Sequence, residues 1–171
     1  MKRRTFGLMA TSALALVITG CTQSKFRSYS GPEVTSIVVH KAQRKMYLLH
    51  HEKVLKSYDF ELGFAPEGDK QFEGDGKTPE GTYLIDRRNP NSQFHLSLGI
   101  SYPNEEDIAE ARALGKNPGG DIFIHGQPNA LKSRRGSKGD DWTWGCIAVI
   151  NRDMEEIYAM VRNGTVITIR P

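Results

Sequence analysis

The residues with the clearest capacity for covalent chemistry in this chain are Cys146 and His125, which lie 21 positions apart. A cysteine nucleophile needs a base that takes its proton and N–H donors for the oxyanion formed on the attacked carbonyl. Gly145 allows a sharp turn, so the amides of Gly145 and Cys146 are candidate oxyanion donors. Gly126 gives the histidine a similarly tight backbone, and a carbonyl there or nearby can fix the imidazole tautomer. This pattern predicts nucleophilic catalysis by a thiol.

The N-terminal segment predicts export and lipidation. Three basic residues precede an apolar run from Phe6 to Ile18, which is too short for a transmembrane helix. Ile18-Thr19-Gly20-Cys21 resembles the lipobox of bacterial lipoproteins, which implies that Cys21 is lipidated and becomes the mature N-terminus. An ordinary secretory signal cleaved nearby is the alternative. We expect a signal peptide (1–20), a lipidated cysteine with a flexible tether (21–33), and one catalytic domain (34–171).

The cysteine count supports the catalytic interpretation. The chain has two cysteines, and a lipidated Cys21 would leave Cys146 without a disulfide partner. A lone thiol in an oxidising compartment is a liability unless it has a function. The alternative is a small buried hydrophobic cysteine beside a core histidine, which is commoner for these residue types in general.

Charge and metal-ligand spacing limit the other function classes. Without the three basic residues of the leader, the 23 Lys and Arg fall to 20, which equals the number of Asp and Glu. A neutral chain argues against a nucleic-acid partner. A zinc site from His125, His95 and Cys146 lacks any CxxC, HxH or HExxH spacing, and a redox site lacks a second nearby cysteine. We therefore expect no cofactor and no metal. Four basic residues form a local cluster, which is interpreted as part of a solvated loop or alternatively as a surface that attracts an acidic substrate: Lys132, Arg134, Arg135 and Lys138.

Strand patterns dominate the elements that must position these residues. An antiparallel meander is predicted over 36–62, with further strands at 81–85, 94–98, 121–124, 147–150 and 165–169. Asn104 and Asn151 are predicted to cap two helices. The fold class is mainly β with one or two helices (α+β), with two packed sheets and the cysteine at a sheet edge. The strands that end at His125 and begin after Cys146 bring both side chains to that edge if they pair.

At these residues the chain resembles the L,D-transpeptidase (YkuD-type) catalytic domain family. Ile124-His125-Gly126 followed by Thr143-Trp144-Gly145-Cys146-Ile147 is similar to its catalytic signature, and Thr78-Pro79-Glu80-Gly81-Thr82-Tyr83 to a second family segment. The resemblance spans about 34–171 and implies a YkuD-like β-sandwich. It implies that Cys146 is the nucleophile, His125 its base, Gly145 and Cys146 the oxyanion donors, and Thr143 the residue that orders the loop.

Two positions depart from the usual family pattern. Trp144 stands where many members have His or a small residue. Ala148 stands where many have Arg or Asn, which puts donor specificity in doubt. The Gly-Cys-Ile-Ala-Val form, with Phe94-His95-Leu96-Ser97 upstream, looks like the YafK-type subgroup. Gly126, His95, Trp144 and Thr78 are the predicted substrate-binding residues. The alternative for His95 is a strand residue that faces solvent. Trp142 and Trp144 are predicted either to line a groove that stacks on sugar rings or, as is commoner for such residues, to anchor the loop in the core.

The resemblance implies an enzyme that acts on peptidoglycan stem peptides in cell-wall remodelling. We expect the protein to be a monomer. The thiolate would attack the carbonyl at the L-centre of the third stem residue, commonly diaminopimelate, and expel D-Ala. An amine acceptor then gives a crosslink, whereas water gives hydrolysis and release of a D-amino acid or of a peptidoglycan-attached lipoprotein. A non-catalytic peptidoglycan-binding lipoprotein is the alternative from another class. The expected location is the periplasmic face of the envelope, lipid-anchored, with the outer membrane favoured because Thr22, not Asp, follows Cys21.

Overall fold

The computed structural model describes residues 24–129 and 140–171, so Cys21 and the basic cluster around Lys132 lie outside it. Eight strands and two helices occur within these residues. In chain order they are β1 (Ser36–His40), β2 (Lys45–His50), β3 (Lys53–Asp59), β4 (Gly81–Asn89), β5 (Ser97–Ile100), α1 (Glu105–Ala113), β6 (Phe123–His125), β7 (Ile147–Ala148), α2 (Asn151–Met160) and β8 (Val166–Arg170). The mainly-β class predicted from the sequence is confirmed.

The strands form one curled sheet in the order β3-β2-β1-β8-β4-β5-β6-β7. The predicted meander is present, because β2 pairs antiparallel with both β1 and β3. β8 is inserted parallel to β1 and antiparallel to β4. Just beyond β3, Glu61 forms an antiparallel bridge with Ala148 of β7. The two ends of the strand order therefore meet, and the predicted sheet layers are parts of one continuous sheet.

The core lies inside this curl. Buried positions alternate along β1 and β2, as expected for strands with one face covered, and they place Ile37, Val39, Met46 and Leu48 inside. α2 buries Met154, Ile157 and Met160 against the same cluster. Full burial of an aliphatic side chain of this size contributes about 1.5–3 kcal/mol. This packing provides the rigid frame on which the loops near Cys146 are held.

The two helices begin differently from each other. Asn104 caps α1 as predicted, because its side chain accepts hydrogen bonds from the amides of Glu106 and Asp107. The cap predicted at Asn151 is wrong, since Ile150 occupies the N-cap of α2 without a side-chain bond. The carboxamide oxygen of Asn151 instead accepts from the amide of Gln127 at 2.7 Å. Asn151 therefore fixes the chain after β6 and does not close the helix end.

The segment before β5 is a turn, although a strand was predicted from Phe94. β5 begins at Ser97, and His95 has a positive φ of 68°. The Ser92 hydroxyl accepts from the amide of Phe94, and the side chain of Asn129 accepts from the amide of His95. These bonds compete with a strand ladder and hold a turn in its place.

The described part of the predicted tether contacts the domain. Arg27 forms a salt bridge of 2.8 Å with Glu155 of α2, and Phe26 packs against Tyr158 with ring centroids 6.4 Å apart. The Lys25 ammonium donates to the carbonyl oxygens of Pro90 and His95. Residues 25–27 are thus docked on the domain surface. Within the described ranges no helix has the length and apolar character needed to cross a bilayer.

Candidate active site

The pairing of β6 with β7 places His125 and Cys146 beside one cavity. The two strands are parallel, with Ile124 opposite Ile147 and His125 opposite Ala148. His125 is the last residue of β6, and Cys146 immediately precedes β7. Both side chains line a cavity of about 300 Å³. The strand pairing on which the sequence prediction depended is therefore present. The remaining lining residues are Asn89, Ser92, Gln93, Phe94, Ser97, Asp121, Phe123, Trp142, Thr143 and Trp144.

His125 is a buried, neutral imidazole. Its Nδ1 lies 2.7 Å from the carbonyl oxygen of Gly126. A carbonyl oxygen can only accept, so Nδ1 carries the proton and Nε2 is the basic nitrogen. Burial lowers the imidazole pKa to about 4, against the opposing effect of the Gly126 bond. The ring also packs against Phe94 in a tilted arrangement, with centroids 4.5 Å apart.

Cys146 is a protonated thiol in this state. Its Sγ lies 3.6 Å from the main-chain oxygen of Asp121, to which the thiol donates. Burial raises the thiol pKa to about 11, and a backbone hydrogen bond with Phe123 lowers it only in part. A protonated thiol needs a proton acceptor before it can act as a nucleophile, and His125 lines the same cavity.

The turn before the cysteine is organised by Thr143. Its hydroxyl donates to the carbonyl oxygen of Cys146 at 2.7 Å and accepts from the amide of Gly145 at 3.2 Å. These two hydrogen bonds are contacts through which Thr143 can order the loop, the role predicted for it. The amide of Gly145 is engaged by this bond, so of the two predicted oxyanion donors the amide of Cys146 is the better placed for a substrate.

Glycine is required at position 145. Its φ is 120°, and a Cβ there would lie 2.6 Å from the carbonyl oxygen of Lys77. Gly63 lies at the same contact between backbone segments, since a Cβ on it would lie 2.0 Å from the carbonyl oxygen of Gly76. The backbones of three loops, which carry Gly63, Gly76 and Gly145, therefore pack directly on one another and form a junction behind Cys146.

The junction also explains Thr78, which was predicted to bind substrate. Thr78 is fully buried, and its hydroxyl accepts from the amide of Gly63 at 3.4 Å. Its carbonyl oxygen accepts from the buried Lys41 ammonium, which also pairs with Glu80 at 2.8 Å. Thr78 therefore lies behind the cavity wall and supports it, and its side chain does not line the cavity.

A second set of contacts holds the catalytic loop at its start. The carboxylate of Asp141 accepts from the amide of Leu62 at 2.7 Å and pairs with Arg44 at 2.5 Å. The Trp142 indole donates to Glu61 at 2.6 Å. Sequence reasoning missed Asp141, Arg44 and Glu61, because only the fold brings these distant positions together. The adjacency of Asp141 to the Trp-Thr-Trp-Gly-Cys run was the one available signal.

The other predicted site residues divide into two groups. Trp144 lines the cavity but is 71 % exposed and packs edge-on against Phe64 at 5.0 Å, so its interpretation as a core anchor is wrong. His95 and Gly126 are not among the residues that line the cavity. The His95 Nε2 lies 3.0 Å from a carboxylate oxygen of Glu155, and the amide of Gly126 donates to the carbonyl oxygen of Phe94.

No group of three or more His, Cys, Asp or Glu side chains within the described residues has the arrangement of a metal site. The chemistry available at the cavity is that of the thiol, the imidazole and the backbone amides around them.

Comparison with known proteins gives a consistent result. The model of the L,D-transpeptidase catalytic domain (YkuD) matches residues 34–169. YafK of Escherichia coli (strain K12), whose name classes it as a candidate L,D-transpeptidase, is 33 % identical over 101 residues, which are 58 % of this chain and 34 % of YafK. The chain thus spans about a third of the length of this relative.

Solved structures share the fold. The helical cell shape determining protein Pgp2 from Campylobacter jejuni is 26 % identical with a TM-score of 0.60, over 81 % of this chain and 51 % of that one. The C442S mutant of the Enterococcus faecium L,D-transpeptidase is 18 % identical with a TM-score of 0.51, over 81 % and 50 % of the two chains. The second likeness is one of fold alone.

Proposed function

The chain belongs to the YkuD family of L,D-transpeptidase catalytic domains, and we propose that it forms an acyl-enzyme on Cys146 with peptidoglycan stem peptides. The observation that carries the proposal is the arrangement of Cys146 and His125. Neighbouring parallel strands bring both side chains to one open cavity, and a backbone bond leaves the Nε2 of His125 as the base. YafK-type similarity and a cell-shape protein among the structural relatives support a role in the cell wall.

The reaction follows from the roles of these groups. The Cys146 sulfur attacks the carbonyl carbon of the third stem residue while Nε2 of His125 takes the thiol proton. The amide of Cys146 donates to the oxyanion of the tetrahedral intermediate. The C–N bond then breaks, and the imidazolium returns its proton to the departing amine. An amine acceptor attacks the thioester, His125 takes its proton, and the thiol leaves with that proton restored.

The two pKa values favour proton transfer during attack over a resting ion pair. The thiol pKa near 11 and the imidazole pKa near 4 make thiolate–imidazolium far less stable than the neutral pair in the empty cavity. Transfer becomes favourable as the sulfur–carbon bond forms and charge moves to the substrate oxygen. His125 therefore acts as a general base, which typically contributes 10²–10⁴-fold to rate.

Hydrolysis is a second outcome of the same acyl-enzyme. Water in place of the amine would give L,D-carboxypeptidase or endopeptidase activity and would release a D-amino acid or an attached protein. The partly exposed Cys146 and the open cavity favour this candidate as a second function, because solvent can reach the thioester.

Incubation of the full chain with intact sacculi tests the proposal. We expect the wild-type protein to change the stem-peptide profile, and mass spectrometry to detect an acyl adduct on Cys146. New crosslinks indicate transfer, whereas shortened stems or freed protein indicate hydrolysis. The Cys146→Ser variant should fold and lack the adduct. Normal turnover by that variant would refute the nucleophile assignment and favour a non-catalytic or different role for the thiol.

We also propose that Cys21 is lipidated and holds the domain at the periplasmic face of the outer membrane. The lipobox-like Ile18-Thr19-Gly20-Cys21 supports this proposal. Metabolic labelling with a fatty acid should mark the wild type and the matched Cys146→Ser control but not Cys21→Ser. Membrane fractionation should then recover the label in the outer-membrane fraction. Labelling of the Cys21→Ser protein would refute the anchor.

A further inference from the structure

A pair of opposite charges lies beside the nucleophile. The Arg87 guanidinium donates to the Asp121 carboxylate at 3.0 Å. Asp121 lines the cavity, and its main-chain oxygen is the atom 3.6 Å from Cys146 Sγ. Apart from Cys146 and His125, Asp121 is the one lining residue with an ionisable side chain in the described part of the chain. The pair therefore dominates the fixed charge at this edge of the cavity.

The sheet register builds the position of Arg87. Arg87 of β4 faces Gly99 of β5, and Gly99 faces Phe123 of β6. A Cβ on Gly99 would lie 2.4 Å from Cγ of Arg87, so the missing side chain provides the space in which the arginine crosses β5. The guanidinium then lies 4.7 Å from the centroid of the Phe123 ring, which itself lines the cavity.

Fold stability does not account for this arrangement. Exposed ion pairs contribute about 0–1 kcal/mol to stability, and the side chains of Arg87 and Asp121 are 45 % and 88 % exposed. Asp121 has a φ of 56°, an uncommon value for a residue with a side chain. Arg87 also contacts Asp86 at 3.3 Å, so it is held from two sides and remains open to a ligand.

We propose that Arg87 and Asp121 form a subsite for the zwitterionic end of the substrate side chain next to the scissile carbonyl. Arg87 would bind the carboxylate of this side chain and Asp121 its ammonium. Charges would then alternate from the guanidinium to the substrate carboxylate, the substrate ammonium and the Asp121 carboxylate. The inference rests on the proposed function, because the attacked carbonyl belongs to the residue whose side chain is recognised. A diaminopimelate side chain spans about 5 Å between its two α-carbons, which suits a subsite whose backbone contacts the attacking sulfur.

The carboxylate bound by Arg87 could come from a second source, the C-terminus of the departing residue. Three stem tetrapeptides separate the sources. The third residue is diaminopimelate, diaminopimelate amidated at its D-centre, or lysine, and each peptide keeps the same C-terminal carboxylate. Recognition of the side chain predicts discrimination among the three, and recognition of the C-terminus predicts none.

Steady-state kinetics of the full chain with these peptides tests the subsite. Arg87→Gln should lower kcat/KM about tenfold for the diaminopimelate peptide and less than about twofold for the amidated and lysine peptides. Gly99→Ala, which displaces the arginine but keeps its charge, should shift the ratio in the same direction. Asp121→Asn should lower kcat/KM for all three peptides, since each carries the ammonium. Arg162→Gln removes an exposed positive charge from a residue outside the cavity lining and is the matched control.

An equal loss on all three peptides with Arg87→Gln would overturn the side-chain subsite. Equilibrium binding of the same peptides to the Cys146→Ser variant provides an independent readout. If the wild type turns over none of the peptides, the proposed reaction fails, while a tenfold preference for diaminopimelate in binding would still support the subsite. Loss of that preference in both experiments would refute it, and matching unfolding midpoints would exclude misfolding as the cause.

Discussion

The protonation state of the resting cysteine can be tested directly by alkylation. With a thiol pKa near 11, about one molecule in ten thousand carries a thiolate at pH 7. We therefore expect the rate of iodoacetamide alkylation at Cys146 to rise about tenfold per pH unit from pH 7 to 10, or about 1,000-fold overall. Mass spectrometry of the Cys146 peptide separates this reaction from any modification at Cys21.

The His125→Gln variant distinguishes a general base from a resting ion pair. Because burial, and not the histidine, is the main cause of the raised thiol pKa, the variant should keep the wild-type alkylation profile. Its turnover of stem peptides should fall about 10²–10⁴-fold, since the base is lost. An alkylation rate that levels off below pH 8 in the wild type, and loses that plateau in the variant, would show a thiolate–imidazolium pair and refute the mechanism.

Three further changes probe the site. Gly145→Ala places a Cβ 2.6 Å from the Lys77 oxygen at a φ of 120°, so it should destabilise the domain by about 1–3 kcal/mol and abolish activity. Gly164→Ala is the control for backbone strain alone, because Gly164 also has a positive φ but has open space around it. Similar midpoints of chemical unfolding for the two variants would contradict the contact argument. Thr143→Val should lower kcat about 10–100-fold because a hydrogen bond to the loop is worth roughly 1–3 kcal/mol, and Thr143→Ser should restore much of it in the same assay; no rescue by serine would remove the hydroxyl from the explanation. His125 should make the stability of the fold pH-dependent, because its pKa of about 4 in the folded state lies below the ordinary 6.5. Between these pH values the unfolded chain binds more protons than the folded chain. The stabilising contribution of the neutral imidazole is therefore complete above pH 6.5, and the free energy of unfolding falls by about 3 kcal/mol as the pH drops to 4. Urea unfolding of wild type and His125→Gln at pH 7 and 4 measures this term as a difference, and parallel pH dependences would contradict it.

The site is built from backbone contacts as much as from side chains. Gly63, Gly76 and Gly145 let three loops approach more closely than any residue with a Cβ would allow. Thr143 ties the cysteine loop to itself, and Asp141 ties it to Leu62 in the segment that follows β3. Such a junction holds the backbone that carries Cys146 in one position, and catalysis by an oriented group requires a backbone held in this way.

The sequence by itself identified the two residues that the fold brings together at one cavity. Cys146 after glycine and His125 before glycine predict a nucleophile and a base, because residue type and local backbone freedom are properties of short segments, and the fold places both side chains at one cavity. The β class and the Asn104 cap followed for the same reason, since side-chain periodicity and capping act within a few residues. The Asn151 cap and the strand at Phe94 failed where side chains found tertiary hydrogen-bond partners instead.

Only the tertiary structure determined the protonation states of Cys146 and His125 and the residues that surround them. The pKa values of Cys146 and His125 depend on burial, which no short segment encodes. Arg87 reaches Asp121 because β4, β5 and β6 are in a register that aligns it with Gly99 and Phe123. Strand register and loop packing join positions far apart in the chain, so the charges beside Cys146 become neighbours only after the sheet has closed.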